Sequence, residues 1–215
     1  MKKFILDKSQ LLKIDELKLP EQAITEFEEI STRYLSTGDG SLISYNSKYP
    51  LYLFLNYVIE NKNVLVHGSN NPSITEFEPQ NSSLFNGKPI KAVFASSDGV
   101  WSLFFAVLNR SRHVGSIRNL CLSVTTNKGK KRYYYFSINN NDEPDQWRDG
   151  TIYFFPKSLF KQGGIGDEWV YEDKVKPIAR LSVSPNDFPF LDKVSIHKES
   201  DSVVKTILKA LFIKK

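Results

Sequence analysis

Cysteine is almost missing from this 215-residue chain. The single one, Cys121, sits in the apolar run Leu120-Cys121-Leu122 and has no partner for an intrachain disulfide. A disulfide-stapled scaffold is therefore excluded, and a reducing compartment with Cys121 as core filling is the expectation. Long apolar runs are missing too: no stretch reaches the roughly 18 residues that a membrane-crossing helix needs. The opening Met1-Lys2-Lys3-Phe4-Ile5-Leu6 meets Asp7 too early to form the apolar centre of a signal peptide. A cytoplasmic protein with no membrane partner is expected. Histidine occurs only at His67, His113 and His197, with no metal-type Cys/His spacing, so no metal site is expected. The sequence also lacks a GxxxxGK[ST] phosphate loop, a G-x-G-x-x-G after a strand and a G-x-S-x-G elbow. Several common enzyme classes drop out with them.

What is present describes an ordinary globular chain, 40% hydrophobic and 25% charged, long enough to bury a substantial core. Fifteen Phe and ten Tyr fill core and strand positions, and a surplus beside a pocket can stack on a planar ligand. A net charge of +5 favours anionic partners such as nucleotides, nucleic acid or acidic protein surfaces. Many lysines stand singly among acids, however, and a solvated surface accounts for most of them.

In 21–36 the apolar residues Ala23, Ile24, Phe27, Ile30, Tyr34 and Leu35 recur at steps of three and four, which predicts a helix with one buried stripe behind Pro20. Thr37-Gly38-Asp39-Gly40-Ser41 breaks the pattern, and Tyr49-Pro50 opens a second helix through Ile59. Val64-Leu65-Val66 reads as a buried strand ending in His67-Gly68-Ser69, where Gly68 lets backbone pass close to whatever lies beyond. A polar loop over 70–89 follows, long enough to be a lid. Lys91 to Ser97 is a second buried strand, and Asp98 can cap a helix running to Asn109. Beyond it the pattern turns to strands: a hairpin over 120–138, then 151–156, 168–171 and 177–183, with glycines at 163, 164 and 166. The hairpin tip, with Lys128, Lys130, Lys131 and Arg132, can touch a nucleic acid backbone, although charges protecting an exposed hairpin are commoner. Helical spacing over 201–213 predicts a terminal helix docked on the sheet.

Three fragments occur in a telling order: His67-Gly68-Ser69, then Val93-Phe94-Ala95-Ser96-Ser97-Asp98 leading into Phe104-Phe105, then Asp167-Glu168-Trp169-Val170-Tyr171. This order resembles the ADP-ribosyltransferase superfamily, especially its poly(ADP-ribose)-polymerase-like branch with a His-Tyr-Glu triad, over residues 64–183. The resemblance implies an α+β fold: a split mixed β-sheet core over 62–215, with 1–61 as a helical extension packed on it. It also implies NAD as substrate. His67 would bond the adenosine ribose, Gly68 would hold the nicotinamide amide through its backbone, and Ser69 would assist. Phe104 would stack on the nicotinamide ring, with Phe105 in reserve. Phe94 and Ser96 would line the same site, and Glu168 would be the catalytic carboxylate. Where the branch has tyrosine this chain has Val93, followed by Phe94, so Ser96 and Ser97 are the hydroxyls on offer. Gly166 stands where arginine- and asparagine-modifying branches carry Glu or Gln. The implied activity is ADP-ribosyl transfer to an acceptor, protein or nucleic acid among them, or NAD glycohydrolysis. Two alternatives stay open: an RNA 2′-phosphotransferase of the same fold, and a non-catalytic module binding a nucleotide, nucleic acid or protein.

Overall fold

The three helices expected between residues 20 and 109 all form behind the residues that mark their starts, in a computed structural model describing residues 2–113, 115–139, 145–202 and 211. In chain order, α1 (Lys2–Lys8) and β1 (Leu12–Ile14) precede α2 (Glu21–Leu35), the short β2 (Ser41–Leu42) and α3 (Leu51–Asn61). Next come β3 (Val64–Ser69), β4 (Gln80–Ser83), β5 (Pro89–Ser96) and α4 (Gly99–Val107). The hairpin β6 (Ile117–Thr126) and β7 (Gly129–Asn139) follows, and then β8 (Gly150–Pro156) and β9 (Lys161–Gln162). The last strands are β10 (Glu168–Tyr171), β11 (Ala179–Val183) and β12 (Ser195–His197). The fold is thus α+β with mixed sheets, as expected. The predicted terminal helix lies, apart from its first two residues and Leu211, outside the described residues. Among those described, no helix is long and apolar enough to cross a membrane.

The chain divides into two compact units, neither continuous in sequence. One is built from Lys18–Leu108 and Trp147–Pro189. The suggested boundary at residue 61 falls inside this unit, so α2 and α3 are counted with the sheet that follows them. Its strands run in the order β2-β11-β8-β3-β5-β10-β9, with β4 also paired to β5. All pairings are antiparallel except β11 with β2.

Alternation along these strands sends residues to two faces. On one face Leu65, Val93, Ala95, Tyr153, Phe155 and Phe160 form a buried apolar layer with Phe77 and Val175. The other face receives α4, whose backbone comes so close that a Cβ on Gly68 would lie 2.0 Å from the Ser102 carbonyl oxygen. Gly150 on the neighbouring β8 is equally tight, 1.9 Å from the carbonyl oxygen of Ala106. Asp98 caps α4 by accepting from Trp101 N at 2.8 Å, and the Asn56 side chain of α3 accepts from Gly99 N at 3.1 Å.

The 70–89 segment is structured where the sequence suggested only a loop. Phe77 forms a bridge with Val175, Tyr153 Oη donates to the Asn71 carbonyl at 2.6 Å and accepts from Ile74 N at 3.1 Å, and β4 pairs along β5. Burial pushes the Tyr153 hydroxyl above its ordinary range, so it stays protonated and keeps donating. The part left to project is the turn at 84–88, which closes on itself through Gly87 N to the Leu84 carbonyl, with Gly87 at φ 82°.

The second unit is built from Met1–Leu17, Asn109–Gln146 and Phe190–Lys215. The β6–β7 hairpin is its frame, and the outer edge of β7 accepts β1 antiparallel and then β12 parallel. Leu6 and Leu11 pack on Tyr133. The hairpin tip is less basic than its sequence suggests: Lys131 Nζ lies 2.8 Å from both Asp7 and Asp15, and Arg132 is fully buried. Lys131 holds the Asp7 carboxyl well below the usual carboxylate range.

Candidate functional site

The three sequence fragments fold into three neighbouring strands. β5 lies between β3 and β10, and Ser96 is the residue they share, paired with Val66 on one side and Glu168 on the other. Directly opposed residues project to the same face, so Val66, Ser96 and Glu168 form one row on the α4 face. His67, one residue on, projects to the opposite face. The sheet therefore does not bring the side chains of His67 and Glu168 together by register.

β3 is paired with β8 along its whole length, from Val64 to Ser69, yet meets β5 only at Val66. Gly68 and Ser69 are unpaired on the β5 side. Across this split, His67 Nδ1 lies 2.7 Å from the Phe94 carbonyl oxygen, standing in for a ladder hydrogen bond. Its ring meets Phe77 edge to face, with centroids 5.0 Å apart. Ser69 Oγ accepts from Asn71 N at 3.1 Å, turning the chain out of the strand. Gly68 is required by the approach of α4, a packing reason that the sequence alone could not separate from ligand contact.

Glu168 is 8% exposed. Its Oε1 accepts from Gly164 N at 2.5 Å and Phe85 N at 3.3 Å, whereas Oε2 takes no hydrogen bond from the described residues. Two turns therefore meet at one carboxylate oxygen. Glycine at 163 and 164 is what lets them meet: a Cβ on Gly163 would lie 2.5 Å from Oε1, and one on Gly164 would lie 3.0 Å from Phe85 N. Ser96 Oγ donates to the Asp167 carbonyl at 2.9 Å and accepts from Asp98 N at 3.0 Å. Ser97 Oγ donates to Asp167 Oδ1 at 2.9 Å and accepts from Trp169 Nε1 at 3.2 Å. Both hydroxyls thus brace the strand ends that carry Glu168.

Phe104 lies on the α4 face but is fully buried, ringed by Phe105, Trp147 and Phe188 at 5.2, 6.1 and 5.7 Å between centroids. The exposed aromatic nearest the carboxylate by bonding is Phe85, 53% exposed, which the sequence analysis did not single out. Its signal was faint: one Phe before Asn86-Gly87 in a polar stretch. Asp167 was likewise given no role, and its burial beside two serines is a matter of tertiary structure. Among the described residues, no group of three or more His, Cys, Asp or Glu side chains is placed to hold a metal ion. No protein-family model, no curated protein and no solved structure matches this chain.

Proposed function

We propose that this protein cleaves the nicotinamide-ribose bond of NAD, transferring ADP-ribose to an acceptor or to water, with Glu168 as the catalytic carboxylate on an ADP-ribosyltransferase-like split sheet. The observation that carries the reading is the row Val66, Ser96, Glu168, which joins three fragments widely spaced in the sequence into adjacent strands. Support also comes from the split between β3 and β5, which leaves Gly68 and Ser69 without a strand on that side, the position where backbone can meet an amide such as that of nicotinamide.

In this reading nicotinamide departs with the electron pair of the glycosidic bond, and positive charge develops on the ribose. A carboxylate beside the sugar stabilises that charge, an effect that removal of a single preorganised group can expose as about 100-fold or more in rate. Glu168 has the right preparation: Oε1 is fixed by two backbone donors, which leaves Oε2 for a ribose hydroxyl. The acceptor or water then adds to the sugar carbon and loses its proton. Phe104 reaches a ligand only if its enclosing rings move, so Phe85 is the ring offered at the carboxylate, where stacking is worth about 1 kcal/mol. The test is nicotinamide release from NAD by the full chain, with Glu168→Gln as control. Release by the wild type and its loss in the variant support the reading; no release, or equal release by both, sinks it.

A second reading is a non-catalytic module that binds a nucleotide. It is favoured by the opposite-face placement of His67 and by the engagement of both His67 Nδ1 and Glu168 Oε1 within the protein. Calorimetric binding of ADP-ribose with no consumption of NAD is its outcome.

A further inference from the structure

His113 and His197 belong to the unit framed by the β6–β7 hairpin, and Ser116 stands between them. His197, at the end of β12, is 3% exposed, and both of its ring nitrogens meet hydroxyls. Nε2 lies 2.8 Å from Ser116 Oγ and Nδ1 lies 2.8 Å from Ser137 Oγ. A neutral imidazole carries one N–H, so one serine donates to the ring and the other accepts from it. Ser137 is fully buried within β7, whereas Ser116, just ahead of β6, is only partly buried. Desolvation, helped by Arg118 and His113, holds His197 below the ordinary imidazole range against the opposing pull of Asp201 and Glu199. An uncharged ring at neutral pH can take up a proton.

The backbone around Ser116 is fixed. Its carbonyl oxygen accepts from Asn139 N at 3.2 Å, and His113 Nε2 approaches it at 3.4 Å. Gly115, the residue before, has φ 134°, and a Cβ there would lie 2.6 Å from Asn139 Nδ2, so the turn that presents Ser116 requires glycine. Among the described residues, two polar atoms in this cluster are buried without a hydrogen bond: His113 Nδ1 and the Oδ1 of Asn139, a residue 7% exposed. Native structures rarely leave such atoms unsatisfied, and they mark places for an ordered water or a polar atom of a ligand.

We propose that Ser116, His197 and Ser137 form a second site that hydrolyses small carboxylic esters, with Ser116 as nucleophile, His197 as general base and Ser137 as the residue positioning the imidazole. A nucleophile within hydrogen-bond reach of a base whose far nitrogen is held by a third group is the arrangement that activates a hydroxyl. Ser116 Oγ adds to the ester carbonyl carbon as its proton passes to His197 Nε2. The C–O bond to the alcohol then breaks, and the alcohol leaves with that proton. Water repeats the cycle, giving up a proton to Nε2, releasing the carboxylic acid and restoring Ser116. None of these residues takes part in the NAD reading, and the outcome for one leaves the other standing.

The test is labelling of the full chain with a fluorophosphonate probe, with the modified residue located by mass spectrometry, alongside hydrolysis of p-nitrophenyl acetate. The expected result is one label per chain on Ser116, no label in Ser116→Ala with an unchanged circular dichroism spectrum, and labelling about 100-fold slower in His197→Gln, the size of a general-base contribution. In Ser137→Ala the pH profile of labelling should move, and Ser137→Thr should restore it; an unmoved profile assigns Ser137 to packing and overturns its role. An unlabelled wild type, or equal labelling of Ser116→Ala, overturns the site.

Discussion

At the scale of single residues, glycines separate the two kinds of constraint on the candidate site. Gly68 faces the α4 backbone with no room for a methyl group, whereas Gly166, in the turn before Glu168, has nothing within 4 Å of the position a Cβ would take. Gly68→Ala should therefore cost about 3 kcal/mol, the upper end of overpacking, and Gly166→Ala should stay within about 0.5 kcal/mol. Urea unfolding midpoints of the two variants measure the contrast, and a near-neutral Gly68→Ala would mean that α4 can move off β3. The same comparison explains why the sequence was only half readable here. Val64, Leu65 and Val66 announced a buried strand by their own chemistry. Gly68, however, looks the same in sequence whether it makes room for a helix or for a ligand.

Elements were legible where the local signal and the tertiary outcome agree. Pro20, Pro50 and Asp98 mark helix starts, and α2, α3 and α4 begin right after them. Leu120 to Thr126 and Lys131 to Ile138, rich in aliphatic, β-branched and aromatic residues on either side of the turn around Gly129, are found in β6 and β7. What stayed hidden depends on a partner strand rather than on the character of the residues themselves. β4 is the polar run Gln80-Asn81-Ser82-Ser83, exposed throughout, and it is a strand only because β5 pairs with it. β1 and β12, three residues each, exist because β7 offers an edge. The stacking role expected for Phe104 rests on its place in the order of the three fragments, which does not tell which rings will close around it.

β12 also supplies the expected pH dependence. Burial lowers the His197 pKa from 6.5, so the unfolded chain binds the proton more tightly than the folded one. The stability this group contributes is fully present above 6.5 and is lost as pH falls below that value through the lowered folded pKa. Unfolding midpoints measured from mildly alkaline to mildly acidic pH should fall on the acid side, and His197→Gln should flatten that part of the curve. An unchanged slope in the variant would assign the acid sensitivity elsewhere.

For the whole molecule, the division into two discontinuous units predicts where damage is felt. Local openings occur in cooperative units rather than residue by residue. Hydrogen exchange of Gly68→Ala should accelerate most in peptides from Lys18–Leu108 and Trp147–Pro189, with smaller changes in peptides from Met1–Leu17 and Asn109–Gln146. Uniform acceleration across all segments would show that the molecule opens as one body.

Leu12 finds its partner at Tyr134, on the far side of the whole first stretch of the other unit. During synthesis β1 waits unpaired until β7 has been made, as β3 waits for β8 and β2 for β11. Long-range pairings of this kind close slowly, and the apolar side chains beside them, Leu6 and Leu11, have no Tyr133 to cover them until the hairpin is made. Leu6 and Leu11 are therefore apolar surface left uncovered until the hairpin forms, and helper proteins that hold nascent chains have something to protect there.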